Sequence, residues 1–107
     1  MNTNRLNKLL EYLENDPNDA FTNYAVATEY LSESPQKALP YFELLLQHHP
    51  DYLATYYHAA QLYADLDMID EAETTYQKGI TLAEKLGESK ALQELKNAYQ
   101  NFQFENF

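Results

Sequence analysis

The chain has no cysteine, two glycines and four prolines in 107 residues, and each scarcity removes a class of protein. Without cysteine there is no disulfide framework, no thiolate zinc site and no thiol nucleophile, a composition at home in a reducing cytoplasm. Long apolar runs are missing as well. The N-terminal stretch MNTNRLNKLLEYLEND threads charges through its apolar positions, which a signal peptide does not do, and no run approaches the length of a membrane span. Basic residues are few: seven Lys and Arg against 17 Asp and Glu give a net charge of −10. That charge repels a phosphate backbone and argues against DNA, RNA and anionic membranes as partners, while allowing a basic ligand without demanding one. Also absent are a glycine-rich phosphate loop, a serine nucleophile elbow and a metalloprotease histidine pair. The length fits one domain with a core of its own.

Between the few glycines and prolines, apolar residues recur three and four apart, and this period predicts six helices. The first carries Leu6, Leu9, Leu10 and Leu13 on one stripe and ends near Asn15, because Pro17 disfavours helical geometry before it. Asp19 is the N-cap of a second helix, from about Ala20 to Leu31. Ser34 and Pro35 open a third, which Pro50 closes; Pro40 inside it calls for either a kink or a later start. A fourth is expected from about Asp51 to Asp65. The fifth opens at Asp67 as a cap, with Asp70, Glu71 and Glu73 at its positive end, and stops at Gly87. The sixth places Ala91, Leu92, Leu95, Ala98, Tyr99 and Phe102 on one stripe and leaves Phe104 and Phe107 in a short tail.

The pattern repeats. Val26, Ala27 and Tyr30 return 33 residues later as Ala59, Ala60 and Tyr63, and Ala38, Phe42, Leu45 and Leu46 return 34 residues later as Ala72, Tyr76, Gly79 and Ile80. Leu6, Leu9, Tyr12, Leu13 and Pro17 stand 33 residues ahead of Leu39, Phe42, Leu45, Leu46 and Pro50, so the first helix is half a repeat. In this the chain resembles the tetratricopeptide repeat family, built of 34-residue helix-turn-helix units. Small residues mark the close approaches of that signature: Ala27 and Ala60 in the first helices, Ala38 and Ala72 in the second, with Gly79 beside them. The departures are Asn23 and Tyr56 at the family's leading tryptophan and Glu84 at its closing proline. The resemblance implies an all-α protein, a right-handed superhelix of antiparallel helix pairs. Its parts are a half-repeat at 1–17, repeats at 20–50 and 53–84, a capping helix at 88–103 and a tail at 104–107.

Each first helix carries a second stripe apart from its packing stripe. In one copy it is Phe21, Tyr24, Thr28 and Leu31; in the other it is Ala54, Tyr57, Gln61 and Ala64, with His58 beside Tyr57. By resemblance these line a concave groove made by the second, fourth and sixth helices; the alternative is that they pack on neighbouring helices. The lysine, arginine and asparagine clamp with which some members of the family hold acidic C-termini is missing here. An apolar or aromatic segment, or a basic one, suits the stripe better. Of the ten tyrosines, Tyr30, Tyr63, Tyr76 and Tyr99 fall on packing stripes and read as core.

Nothing in the sequence carries catalysis, a cofactor or a metal. His48 and His49 are adjacent and point about 100° apart on a helix, so they cannot chelate one ion. His58 has no nucleophile or carboxylate assigned to it. The run Asp65, Asp67, Asp70, Glu71 and Glu73 begins like a calcium loop but has Ile69, Asp70 and Tyr76 where a ligand, a glycine and a glutamate are needed. The expected function is therefore non-enzymatic: a cytoplasmic interaction module or scaffold that binds a protein or peptide. The rival expectation is self-assembly, a homodimer made through Phe102, Phe104 and Phe107.

Overall fold

The computed structural model describes residues 2–107, and among these it contains six helices and no strand. They are α1 (Thr3–Asn15), α2 (Ala20–Leu31), α3 (Pro35–His48), α4 (Ala54–Asp65), α5 (Ile69–Leu86) and α6 (Ser89–Asn106). Their packing falls into two compact units, residues 1–52 with α1 to α3 and residues 53–107 with α4 to α6.

In the first unit α2 packs on both α1 and α3. The Asn2 side chain caps α1 by accepting the Arg5 amide at 3.0 Å. Asp19 caps α2 as expected: its Oδ2 accepts the Thr22 amide at 2.9 Å and the Thr22 hydroxyl at 2.6 Å, and these bonds hold its carboxyl below the usual range. Val26, Ala27, Ala38, Phe42 and Leu45 are fully buried and form the core. Asn23 is buried where the signature has tryptophan, and its amide donates to the carbonyls of Pro17 (3.0 Å) and Asp19 (2.8 Å). The helix α3 starts at Pro35 and runs through Pro40 without a break, so the later start is not taken. Pro40 leaves the Gln36 carbonyl without its helical donor, but Gln36 is exposed and water can serve. Ser34 precedes α3 without a side-chain cap bond. His48 is exposed, whereas the half-buried His49 donates from Nε2 to the Asn18 carbonyl at 2.6 Å and ties the end of α3 to the turn before α2.

In the second unit α5 lies against α4 and α6, and α4 also touches α6. Three expected boundaries move. The fourth helix begins at Ala54, not Asp51, because residues 50–53 form a turn in which the Tyr52 amide donates to the His49 carbonyl at 3.0 Å. Asp67 does not cap α5. It sits at φ 62° in the left-handed region, where the Asp67 amide donates to the Ala64 carbonyl (3.1 Å) and the Met68 amide to the Tyr63 carbonyl (2.8 Å). This pair of bonds closes α4 in the manner usually given to glycine, a conformation that aspartate tolerates better than most residues. Gly87 closes α5 with the same pair, Gly87 to Glu84 and Glu88 to Ala83. The third correction is the tail. The helix α6 continues through Phe104 to Asn106, since Gln103, Phe104, Glu105 and Asn106 contain no helix breaker and Phe102 anchors the last turns by its burial.

Gly79 is a close approach. A Cβ placed there would stand 2.7 Å from Tyr56 Cβ, 3.2 Å from Tyr56 Cγ and 3.3 Å from Leu95 Cδ2. The two repeats thus hold opposite sizes at matching positions, Asn23 with Leu45 in one and Tyr56 with Gly79 in the other. Gly79→Ala would gain about 1 kcal/mol of helix propensity elsewhere. Here overpacking outweighs it, and a net loss of about 1–3 kcal/mol is expected from the denaturant midpoint. A midpoint that rises would show that α4 and α5 separate freely.

Candidate functional site

The expected stripe of α2 divides between surface and interior. Phe21, two residues after the Asp19 cap, projects outward and is 65% exposed. Tyr24 is half-buried, its ring edge-on to Phe42 (6.5 Å between centroids) and tilted against Tyr52 (5.8 Å). Burial and the neighbouring Tyr52 push its hydroxyl pKa up. Thr28 is half-buried and donates to the Ala25 carbonyl at 3.0 Å, a local bond, and Leu31 is half-buried. Tyr24 is therefore partly a packing element of the first unit.

Phe21 also lines an open cleft of about 840 Å³ between α1 and the start of α2, with Asn2, Arg5, Lys8 and Tyr12. Tyr12, matched by the repeat to buried Leu45, is 54% exposed here. The end of α1 in this cleft is tied to α2 by the Glu29 carboxylate, which accepts from the Asn2 amide at 3.2 Å and pairs with Arg5 Nε at 3.2 Å.

In the second unit Ala54 and Gln61 are exposed, and Tyr57, His58 and Ala64 are half-buried. The Tyr57 and His58 rings meet edge-on at 5.6 Å. Burial lowers the His58 pKa, so the imidazole is neutral at pH 7. Tyr57, Gln61 and Ala64 form one wall of a recess of about 210 Å³, and Ala98, Asn101, Phe102 and Glu105 on α6 form the other. Its floor is Tyr76, and Asp65 closes the α4 side. Sequence reasoning placed Tyr57, Gln61 and Ala64 on this face but missed Asp65, Asn101 and Glu105. The available signal was the spacing of Ala98, Asn101 and Glu105 at three and four, a second face on α6 distinct from its packing stripe.

Among the core tyrosines, Tyr63 and Tyr76 are buried while Tyr30 and Tyr99 are half-buried. At the chain end Phe107 meets Phe102 edge-on at 5.9 Å, yet Phe104 and Phe107 remain 90% and 76% exposed. Among the described residues no three His, Asp or Glu side chains are grouped to hold a metal ion, and no helix is long and apolar enough to cross a membrane.

Compared with known proteins, the chain matches the tetratricopeptide repeat over residues 29–98. The crystal structure of a tetratricopeptide repeat domain protein from Salinibacter ruber is similar to it, with 43% identity over 79% of this chain and 97% of that one and a TM-score of 0.75. A solution NMR structure of a tetratricopeptide repeat domain protein from the same organism has 44% identity over 80% of this chain and 88% of the other, with a TM-score of 0.73. No curated protein matches the chain.

Proposed function

Because this chain belongs to the tetratricopeptide repeat family, whose repeats are protein-interaction modules, we propose that it docks a protein or peptide segment, with the outward face of α2 in the first unit and that of α4 in the second as separate docking surfaces. The observation that carries the reading is the placement of large amphipathic or apolar side chains, Phe21 and Tyr57, on faces that the core leaves open. Aromatic side chains in such positions anchor interfaces, because they bury much area with few rotors to freeze. The partner segment is apolar, aromatic or basic: the net charge of −10 favours a basic one by long-range attraction.

The test is a comparison of proteins captured from native lysate by the wild-type chain and by Phe21→Ser and Tyr57→Ala variants. Phe21→Ser should shift stability by no more than about 0.5 kcal/mol, since its ring lies outside the core. Either change should cut capture of a specific partner sharply, because an interface anchor contributes ~2 kcal/mol or more. Capture that survives both changes would mean that another face binds, with Phe104 on α6 and Phe107 just past it next in line.

A further inference from the structure

The recess of the second unit has a chemistry that the docking reading does not use. Tyr76 is only 3% exposed, with its ring packed on Tyr99 at 5.7 Å and on Phe102 at 5.5 Å. Its hydroxyl forms no hydrogen bond among the described residues and is accessible from the recess rather than sealed in the core. Burial, Tyr57 and the carboxylates of Asp65 and Glu105 together push this phenol up to about 12, so it keeps its proton. The two carboxylates stand on opposite sides of the recess, on α4 and α6, and neither is ion-paired among the described residues. No lysine or arginine lines the cavity. Gln61 and Asn101 add amide oxygens, and Tyr57 and Phe102 add ring surface. At about 210 Å³ the space holds several waters, hence the end of one long side chain.

We propose that this recess seats an arginine side chain presented by the partner. Two carboxylates lining one recess from α4 and α6 suit the planar fork of a guanidinium, which also stacks on aromatic rings. The Tyr76 oxygen has lone pairs to accept a guanidinium N–H while the phenol keeps its proton. An ammonium, a point charge on a thinner stem, uses the rings and the fork less well. The proposal rests on the docking reading, since Tyr57 and Gln61 belong to the face assigned there, and it names what that face grips.

The experiment is a titration of the ¹⁵N-labelled full chain with Ac-Gly-Arg-Gly-NH₂, followed by amide shifts. The lysine peptide and the neutral citrulline peptide serve as comparisons. The arginine peptide should give saturable shifts centred on Asp65, Asn101 and Glu105, with a dissociation constant of roughly millimolar order for so small a ligand. Citrulline should bind about tenfold more weakly, and so should the arginine peptide to an Asp65→Asn, Glu105→Gln double variant. Tyr76→Phe removes only the hydroxyl and should weaken binding about threefold with an unchanged or raised Tm, since the group it deletes is unpaired. The exposed Glu94→Gln should leave the titration as it was. Shifts scattered over the surface, citrulline binding as well as arginine, or lysine binding equally would each overturn the assignment. If the recess fails in this way while Tyr57→Ala still abolishes partner capture, the arginine seat alone falls. If capture ignores Tyr57, the docking reading falls with it.

Discussion

Replacing Phe42 by alanine is expected to cost about 3–5 kcal/mol, the range for an aromatic removed from a closed core. Phe42 is fully buried with Tyr24 edge-on to its ring, in a core that also holds the fully buried Val26, Ala38 and Leu45. A domain of this size has only about 5–15 kcal/mol of net stability, so the loss is a large part of the total. At roughly 4–8 °C per kcal/mol, thermal unfolding should move down by about 12 °C or more. Phe42→Leu, which keeps most of the volume, should cost under about 1.5 kcal/mol. Equal effects from the two changes would mean that the first unit collapses around the missing ring.

Deleting residues 88–107 is expected to have an effect of the same order by exposing one face of α5. Leu95 and Phe102 are buried, Leu95 Cδ2 would lie 3.3 Å from a Cβ at Gly79, and the Phe102 ring packs tilted against Tyr76 at 5.5 Å. Burying each of these side chains is worth about 1.5–3 kcal/mol, and the face they leave behind is apolar. The shortened chain should bind a hydrophobic dye and lose its sigmoidal thermal transition. Its Tyr76, less desolvated and freed of Glu105, should titrate below about 12, moving toward the ordinary tyrosine value. The sign of the alkaline effect in the full chain follows from the same group. Tyr76 is raised in the folded state, so its contribution is complete below pH 10 and is lost as pH climbs toward 12. A truncated chain that melts like the full one would show that α6 does not cover α5.

Much of the fold is legible in the sequence because it depends on local chemistry. Asp19 announces α2, Gly87 ends α5, and the recurrence of Ala27 as Ala60 and of Ala38 as Ala72 gives the pairing of helices. The misplaced boundaries are those without such a signal. Leu53 precedes α4 with no capping side chain, and Asp67 looks like an N-cap although its backbone turns left-handed to close the helix before it. The site is half legible. Tyr57 and Gln61 could be placed on a face by spacing alone, but the recess needs α6 brought beside α4, a tertiary fact that no periodicity contains. Tyr76 shows the limit best: its spacing marks it as core, which it is, yet its hydroxyl also floors a cavity.

The order in which helices pack has a consequence for kinetics. Within each unit, every helix lies against helices one or two places away in the chain: α2 with α1 and α3, α5 with α4 and α6, α4 with α6. Loop closure is then brief and each contact is rewarded almost as soon as its helices form. Folding of each unit should fall in the microsecond-to-millisecond range of helical proteins with low contact order. A chain that forms its contacts this quickly leaves little time for aromatics destined for the interior, such as Phe42, Tyr76 and Phe102, to meet those of another molecule before they are covered.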